Sequence, residues 1–267
     1  MARHSELVKI PRIDRYISKL ALGTAPLGGL FTAVSDEQGQ ATVLAALDSG
    51  INFIDTAPLY GHGNAERMIG SVLSKTNKEY VISTKVGRVL KKFAPEEIAG
   101  KVDGLAAFIG VDPTIFPVFD FSRDGILRSI QESLERLNIS SIDIALIHDA
   151  DDRIDEAIKN SYPVLDELRS QGVIKGIGVG MNICSYATKA VKEMDLDVVL
   201  ITGRYSLLDQ SAQEVLFKEC LKKQTGVMVG GVYNSGVLVN PTPESTYNYV
   251  PVTPEILSKV KQIQALL

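Results

Sequence analysis

The sequence predicts an α/β fold, a (β/α)8 barrel of the TIM type, in one domain that spans residues 1–267. Three observations support this prediction. Short apolar runs alternate along the chain with amphipathic stretches, a pattern typical of parallel strands joined by helical crossovers. The runs are nearly continuously apolar, as expected for strands buried on both faces. With 267 residues and 45% apolar content, the chain is long enough for one large core of this type.

Seven apolar runs are predicted to be barrel strands, because each is short and bounded by turn residues. These runs are Lys19–Leu22, Phe53–Asp55, Tyr80–Thr84, Asp143–Ile147, Gly176–Val179, Val198–Ile201 and Val227–Val229. No eighth run follows them. We therefore expect the barrel to be incomplete, with strand 8 missing and the C-terminal part truncated.

The amphipathic stretches between the runs are predicted to be helices. They are Ser35–Ser49, Asn64–Ser74, Asp124–Leu137, Ile154–Gln171, Ser185–Glu193, Ser211–Lys223 and Thr253–Leu267. Ser35 precedes two acidic residues, which is typical of a helix start, and Pro254 suits the first position of the last helix. That last helix places Ile256, Val260 and Ile263 on one face, which we expect to need a partner strand.

One connection is much longer than the others. Residues Arg88 to Ser122 follow the third run and are rich in Gly, Pro and Phe. Long loops on compact domains are usually functional lids or disordered segments. We therefore predict a lid over the substrate.

Composition excludes several classes of function. The net charge is −4, and there is no basic stretch interleaved with aromatic residues, so nucleic acid is not an expected partner. No apolar run approaches a membrane span, and Met1 to Ile10 contains no apolar signal core. Cys184 and Cys220 have no metal or redox spacing and are expected to be reduced thiols. We expect a cytoplasmic protein with no metal site, and a homo-oligomer is left open.

Polar side chains gather where the apolar runs end. Asp55 closes the second run, Lys85 follows the third and His148 follows the fourth. Asn182, Tyr205 and the pair Tyr233-Asn234 lie just beyond the later runs. The carboxyl ends of parallel barrel strands meet at one mouth, so the pattern predicts a functional site there.

The residues around these positions resemble a known family. The segment from Gly50 to Glu66, GINFIDTAPLYGHGNAE, resembles the signature of the aldo-keto reductases, as do Thr84-Lys85-Val86-Gly87 and Ile147-His148-Asp149. The resemblance runs from Leu20 to about Gly236. It implies a barrel of the aldo-keto reductase type, an enzyme that uses NAD(P), and a small-molecule carbonyl or sugar substrate.

The resemblance implies a catalytic set formed by Asp55, Tyr60, Lys85 and His148. Hydride transfer to a carbonyl leaves an alkoxide that must be protonated, and Tyr60 would supply the proton. Tyrosine is a weak acid, and a lysine ammonium beside it favours the phenolate. Asp55 would hold Lys85 charged, and His148 would polarise the substrate oxygen.

The resemblance also implies which residues contact the cofactor. They are Gly23, Thr24, Asp55, Asn182, Tyr205, Tyr233, Asn234, Ser235 and Gly236. Tyr205 would stack on the nicotinamide and Asn182 would bind its carboxamide. Two positions depart from the pattern of many relatives, since Met181 replaces a serine and Gly203 a glutamine. The choice between NAD and NADP is left open, because the expected truncation removes the segment that holds the adenosine end.

Further motifs narrow the resemblance to one branch. Gly203-Arg-Tyr205, His148-Asp149 and the segment Gly230 to Gly236 are similar to the D-threo-aldose, L-fucose and L-galactose dehydrogenases, with pyridoxal dehydrogenases as close kin. This implies oxidation of a sugar hemiacetal or aldehyde equivalent to a lactone. Two alternatives stand beside it: a non-catalytic binding subunit that retains cofactor, and an inactive fragment. Taken singly, Asp55 could instead cap a helix, and His148 and Asp149 could be structural.

Overall fold

The computed structural model describes residues 4–98, 108–248 and 250–266. Its main sheet has seven strands, and each strand pairs in parallel with the next one along the chain. The strands are Ala21–Gly23, Phe53–Asp55, Val81–Val86, Ile142–His148, Ile174–Met181, Val198–Thr202 and Gly226–Gly230. This arrangement confirms the predicted barrel architecture. In the described part of the chain, the first and seventh strands form the two edges of the sheet.

Helices follow the strands as predicted, with small shifts at their ends. They span Asp36–Asp48, Asn64–Leu73, Arg123–Leu137, Ile154–Glu156, Tyr162–Ser170, Cys184–Glu193, Leu216–Lys223 and Pro254–Gln264. The predicted end at Leu267 lies outside the described residues. Ser35 caps the first helix: its hydroxyl accepts from the backbone N–H of Gln38, and the Gln38 side chain accepts from the Ser35 N–H.

Two predicted helices are interrupted. A π-helical turn at Ala157–Ser161 divides the stretch that was expected to be one helix from Ile154 to Gln171. The stretch from Ser211 begins as a 3₁₀ turn, Ser211–Gln213, before the helix Leu216–Lys223. Apolar periodicity marks the buried face of a helix, but it does not distinguish these local changes in hydrogen bonding.

The long connection from Arg88 to Ser122 has regular structure. Arg88–Lys92 pairs antiparallel with Ile115–Phe119 in a two-stranded hairpin, and a short helix spans Pro95–Ile98. Residues 99–107 of the predicted lid lie outside the described part. The sequence prediction of a lid assigned no strands to this connection. Pro117 is accommodated because its hairpin strand has a single partner strand.

A second hairpin near the N-terminus closes the far end of the barrel. Leu7–Lys9 pairs antiparallel with Tyr16–Ser18. Ile10, Ile13 and Ile17 pack in one cluster with interior residues of four strands: Phe53, Val81, Ile144, Leu146 and Val198. Apolar packing thus fills the N-terminal end of the barrel and leaves the mouth for polar side chains.

The last helix packs mainly against loop residues and not against a strand of the main sheet. Val260 is fully buried in a cluster with Leu208 and Val237, and Ile256 and Ile263 pack around it. The partner expected for this face was a strand, but the loops after the sixth and seventh strands supply apolar side chains. A further pair of short strands, Thr246–Tyr247 and Val250–Pro251, precedes the helix. No helix in the described ranges is long and apolar enough to cross a membrane.

Candidate active site

Four predicted catalytic side chains lie together at the mouth of the barrel. Asp55 ends the second strand, Lys85 lies near the end of the third and His148 ends the fourth. Tyr60 lies on the loop after Asp55, and its ring centroid is 4.6 Å from the Lys85 Nζ and 6.0 Å from the His148 ring. Parallel strand ends therefore bring together residues up to 93 positions apart in the chain, from Asp55 to His148.

Asp55 and Lys85 form a buried ion pair. The Lys85 Nζ lies 2.7 Å from Asp55 Oδ2 and also donates to the carbonyl of Thr56 at 2.8 Å. The other carboxylate oxygen, Oδ1, accepts from the Ser83 hydroxyl at 2.7 Å. Since a buried charge is costly without partners, these contacts account for the presence of both charges in the barrel.

The lysine stem passes beside a glycine of the fifth strand. A Cβ placed on Gly180 would lie 3.5 Å from Lys85 Cε and 3.8 Å from Cδ, which is ordinary van der Waals contact. The stem is therefore closely packed against the fifth strand at this position. Burial lowers the pKa of Lys85, but the charges and hydrogen bonds of Asp55 and Tyr60 outweigh it, so its pKa lies above the usual value. Lys85 stays an ammonium at neutral pH.

The Tyr60 phenol is a weaker acid here than in water. Burial raises the pKa of Tyr60 to about 12, although the charge and hydrogen bond of Lys85 lower it. Lys85 lowers the pKa of Tyr60, as expected, but burial raises it by more. Tyr60 is therefore protonated at neutral pH and is poised as a proton donor.

His148 is neutral in this environment. Burial lowers the pKa of His148 to about 3, against the opposing charge of Asp149. Its Nδ1 atom is buried and has no hydrogen-bond partner in the described part of the chain. A neutral imidazole does not compete with Tyr60 for protons, and it can donate one N–H to a bound oxygen.

The predicted cofactor residues fall in two places. Gly23 and Thr24 lie beside Asp55: the N–H and hydroxyl of Thr24 both donate to the Asp55 carbonyl, at 3.1 and 2.9 Å. Thr24 is fully buried and so acts through the backbone of the second strand. Asn182 lies beside Asp149, to which its Nδ2 donates at 3.0 Å.

The remaining cofactor candidates lie around the ends of the sixth and seventh strands. Tyr205 and Tyr233 line a cleft of about 510 Å³, and their side chains are exposed. Asn234 is buried near Gly203, with its Oδ1 unpartnered in the described ranges. Asn234, Ser235 and Gly236 all have positive φ, of 49°, 59° and 87°. In the described residues, no hydrogen bond or ring contact joins this second group to the four catalytic candidates.

A family model matches this arrangement. The model of the aldo/keto reductase family matches residues 19–254, which contain every residue of the site.

The chain belongs to the aldo/keto reductase family.

Curated relatives of this aldo/keto reductase include three dehydrogenases. It is 37% identical to a D-threo-aldose 1-dehydrogenase from a Pseudomonas species, over 94% of this chain and 77% of the relative. It is 34% identical to a pyridoxal 4-dehydrogenase from Microbacterium luteolum, over 97% and 80%. An L-galactose dehydrogenase from Arabidopsis thaliana is 29% identical, over 92% and 70%. These relatives match the branch expected from the sequence.

Solved structures support the fold. A glycerol dehydrogenase from Gluconobacter oxydans superimposes with a TM-score of 0.71 at 26% identity, over 91% of this chain and 68% of that one. The holo form of an aldo-keto reductase from Bacillus halodurans gives 0.75 at 23% identity, over 98% and 77%. The family and its dehydrogenase relatives make this chain an NAD(P)-dependent oxidoreductase.

The site of this aldo/keto reductase includes residues that sequence reasoning missed. Ser83 holds Asp55, and Arg88 reaches Asp149 with an Nη2 to Oδ2 distance of 3.3 Å. The signal for Arg88 was its place directly after Lys85-Val-Gly at a strand end. The sequence pattern marks Arg88 only as the start of a lid, because its partner Asp149 lies 61 residues away in the chain.

The hairpin connection contacts the site as a lid would. The Phe108 ring lies 6.4 Å from Tyr60 and 6.2 Å from His62, and Phe116 lies 6.0 Å from His62. His62 therefore packs against two aromatic rings of this connection. The cysteines Cys184 and Cys220 are both free thiols.

Proposed function

We propose that this aldo/keto reductase oxidises the hemiacetal carbon of an aldose to a lactone with NAD(P). The observation that supports it best is the mouth cluster, in which the Tyr60 ring lies 4.6 Å from the Lys85 ammonium and 6.0 Å from the His148 ring. This arrangement allows Tyr60 to donate a proton in reduction and, as the phenolate, to accept one in oxidation. The similarity to a D-threo-aldose 1-dehydrogenase supports the aldose as substrate. L-fucose as the particular aldose, and a cytoplasmic location, are parts of this proposal.

The described residues fit a nicotinamide cofactor. Tyr205 presents an exposed ring at the cleft, and Asn234 keeps a buried oxygen without a donor. Asn182 gives its amide N–H to Asp149, which leaves its Oδ1 for a carboxamide N–H. These residues would hold the nicotinamide, and Tyr233, Ser235, Gly236 and Gly23 would surround it. When bound, the cofactor accepts a hydride in oxidation and donates one in reduction.

The chain's own groups carry the proton. In oxidation, the C–H bond of the hemiacetal carbon breaks and its electron pair leaves as hydride. The hydroxyl proton on the same carbon passes to Tyr60 as its phenolate, and a C=O bond forms. Lys85 stabilises the phenolate and Asp55 keeps Lys85 in place. His148 donates to the reacting oxygen and aligns it.

Pyridoxal is the second candidate substrate. The pyridoxal 4-dehydrogenase relative is 34% identical over 97% of this chain, and its name describes the oxidation of pyridoxal. Pyridoxal carries a hydroxymethyl group next to its aldehyde, so it can close to an internal hemiacetal. The same proton path serves both substrates. The difference between them lies in the groups beside the reacting carbon.

A substrate panel tests the proposal. Initial rates are measured with L-fucose, L-galactose, D-arabinose and pyridoxal, each with NAD and with NADP, from the absorbance of the reduced nicotinamide. We expect turnover of at least one aldose, with a lactone identified by mass spectrometry. Turnover of pyridoxal alone would favour the second candidate, and turnover of none would contradict oxidation by this chain.

A further inference from the structure

Asp149 has an unusual backbone beside the reaction centre. It follows His148 directly and has a φ of 45°, in the left-handed region that non-glycine residues seldom occupy. Its N–H donates to the carbonyl of Gly180 at 2.9 Å, which ties the turn to the fifth strand. The fold therefore holds an acidic residue in a fixed position at the mouth.

The Asp149 carboxylate is held by neighbours but keeps room for a ligand. Oδ1 accepts from Asn182 Nδ2 at 3.0 Å, and Oδ2 lies 3.3 Å from Arg88 Nη2 and 3.5 Å from His148 Nε2. The side chain is 23% exposed. A carboxylate accepts about four hydrogen bonds, so acceptor capacity is left on the exposed side.

Arg88 holds the Asp149 carboxylate from the buried side of the site. Its side chain is only 6% exposed, and its guanidinium carbon lies 3.9 Å from the centroid of the Phe119 ring. An arginine packed in this way has little freedom, and its charge offsets the charge of Asp149. The pair thus presents a preorganised acceptor, and binding requires little rearrangement.

We infer that Asp149 is a specificity-determining residue, which accepts a hydrogen bond from the hydroxyl next to the reacting carbon of an aldose. The inference rests on the proposed function. The reacting oxygen is positioned by Tyr60 and His148, and the neighbouring hydroxyl of a vicinal diol lies about one hydrogen-bond length from it. Asp149 Oδ2 lies 3.5 Å from His148 Nε2, which places the carboxylate beside the expected position of the reacting oxygen.

Recognition of this kind discriminates between sugars. A site built to accept a substrate hydroxyl rejects an analogue that lacks it, because bound substrate displaces water from the acceptor and then leaves it unpaired. The aldoses favoured by this enzyme therefore carry a hydroxyl at the second carbon. A 2-deoxy sugar presents the same reacting carbon but no donor to Asp149.

The test compares L-fucose with 2-deoxy-L-fucose. We measure kcat/KM for both in the wild type, in Asp149→Ala and Asp149→Asn, and in Asp152→Asn as a matched control on an exposed acid nearby. We expect the wild type and the control to prefer L-fucose by roughly ten- to a hundredfold. The ratio should fall toward one in Asp149→Ala. The amide oxygen introduced by Asp149→Asn still accepts a hydrogen bond, so the ratio in this variant should lie between the wild-type value and one.

Two results would overturn the inference. One is a wild-type enzyme whose kcat/KM values for L-fucose and 2-deoxy-L-fucose are nearly equal. The other is an equal loss for both sugars in the Asp149 variants, which would mean that Asp149 acts only through His148. Melting temperatures verify folding, and Asp149→Asn carries the test if Asp149→Ala does not fold. Failure of the proposed function looks different: the wild type would oxidise neither sugar but still act on pyridoxal or reduce simple aldehydes.

Discussion

The Nζ of Lys85 lies 2.7 Å from Oδ2 of Asp55, and the two side chains are only 1% and 10% exposed. A pair buried to this extent is sensitive to the loss of either partner, because the remaining charge has no solvent to stabilise it. The pair also sets the charge that Tyr60 experiences, so its integrity links stability to catalysis.

Replacing Asp55 alone should destabilise the protein strongly. We expect Asp55→Asn to lower the free energy of unfolding by about 3–5 kcal/mol, since Lys85 is left buried without its counter-charge. The measurement is equilibrium unfolding in urea. The control is the double variant Asp55→Asn with Lys85→Met, which removes both charges and should cost less than Asp55→Asn alone. Lys85→Met is also measured alone. A double variant whose loss of stability equals the sum of the losses in Asp55→Asn and Lys85→Met would show that the pair is not coupled.

The pH dependence of the rate should follow Tyr60 and not His148. The pKa of His148 is lowered to about 3 from a usual value of 6.5, so the imidazole is neutral above about pH 5. The pKa of Tyr60 is raised to about 12, so its acid form prevails below that pH. We expect reduction to be flat between about pH 5 and 8, and oxidation, which needs the phenolate, to rise about tenfold per pH unit.

Single-turnover rates in both directions measure this profile. An inflection near pH 6.5 that disappears in His148→Gln would contradict the neutral imidazole. If the oxidation rate of Tyr60→Phe still rose about tenfold per pH unit, another group would take the proton.

The barrel architecture could be predicted from sequence because strands buried on both faces are nearly continuous apolar runs. Phe53–Asp55 was predicted with its observed ends. The first strand was predicted as Lys19–Leu22 but spans Ala21–Gly23, because short strands with exposed residues have weak boundaries. The hairpin that contains Pro117 was missed, since its pairing depends on a partner distant in sequence.

The catalytic cluster could be predicted because its members carry a long signature and follow strand ends. The Arg88–Asp149–Asn182 contacts could not, because each partner comes from a different strand end and no local pattern encodes their distances. The raised pKa of Tyr60 was also beyond sequence reasoning. It depends on the balance between burial and the charge of Lys85, which only the packed structure sets.

The lid contact should govern substrate binding. We expect Phe108→Ala to raise KM for the substrate by about 2- to 10-fold and to change kcat less, because the ring packs near Tyr60 and His62 without taking part in proton transfer. Steady-state kinetics measure both constants. Tyr16→Ala removes an exposed aromatic ring at the opposite end of the barrel and serves as the control. Equal KM values in Phe108→Ala and the control would argue against a lid.

Substitution of Tyr60 by phenylalanine, followed by paired measurements of kcat and cofactor binding, tests the central claim most directly. The change removes one hydroxyl and leaves the ring that packs near Lys85 and His148. We expect kcat for aldose oxidation to fall by about 10²–10⁴-fold, while fluorescence titration shows NADH and NADPH binding as in the wild type. A Tyr60→Phe enzyme that keeps the wild-type kcat would contradict the assignment of Tyr60 as the proton-transfer group.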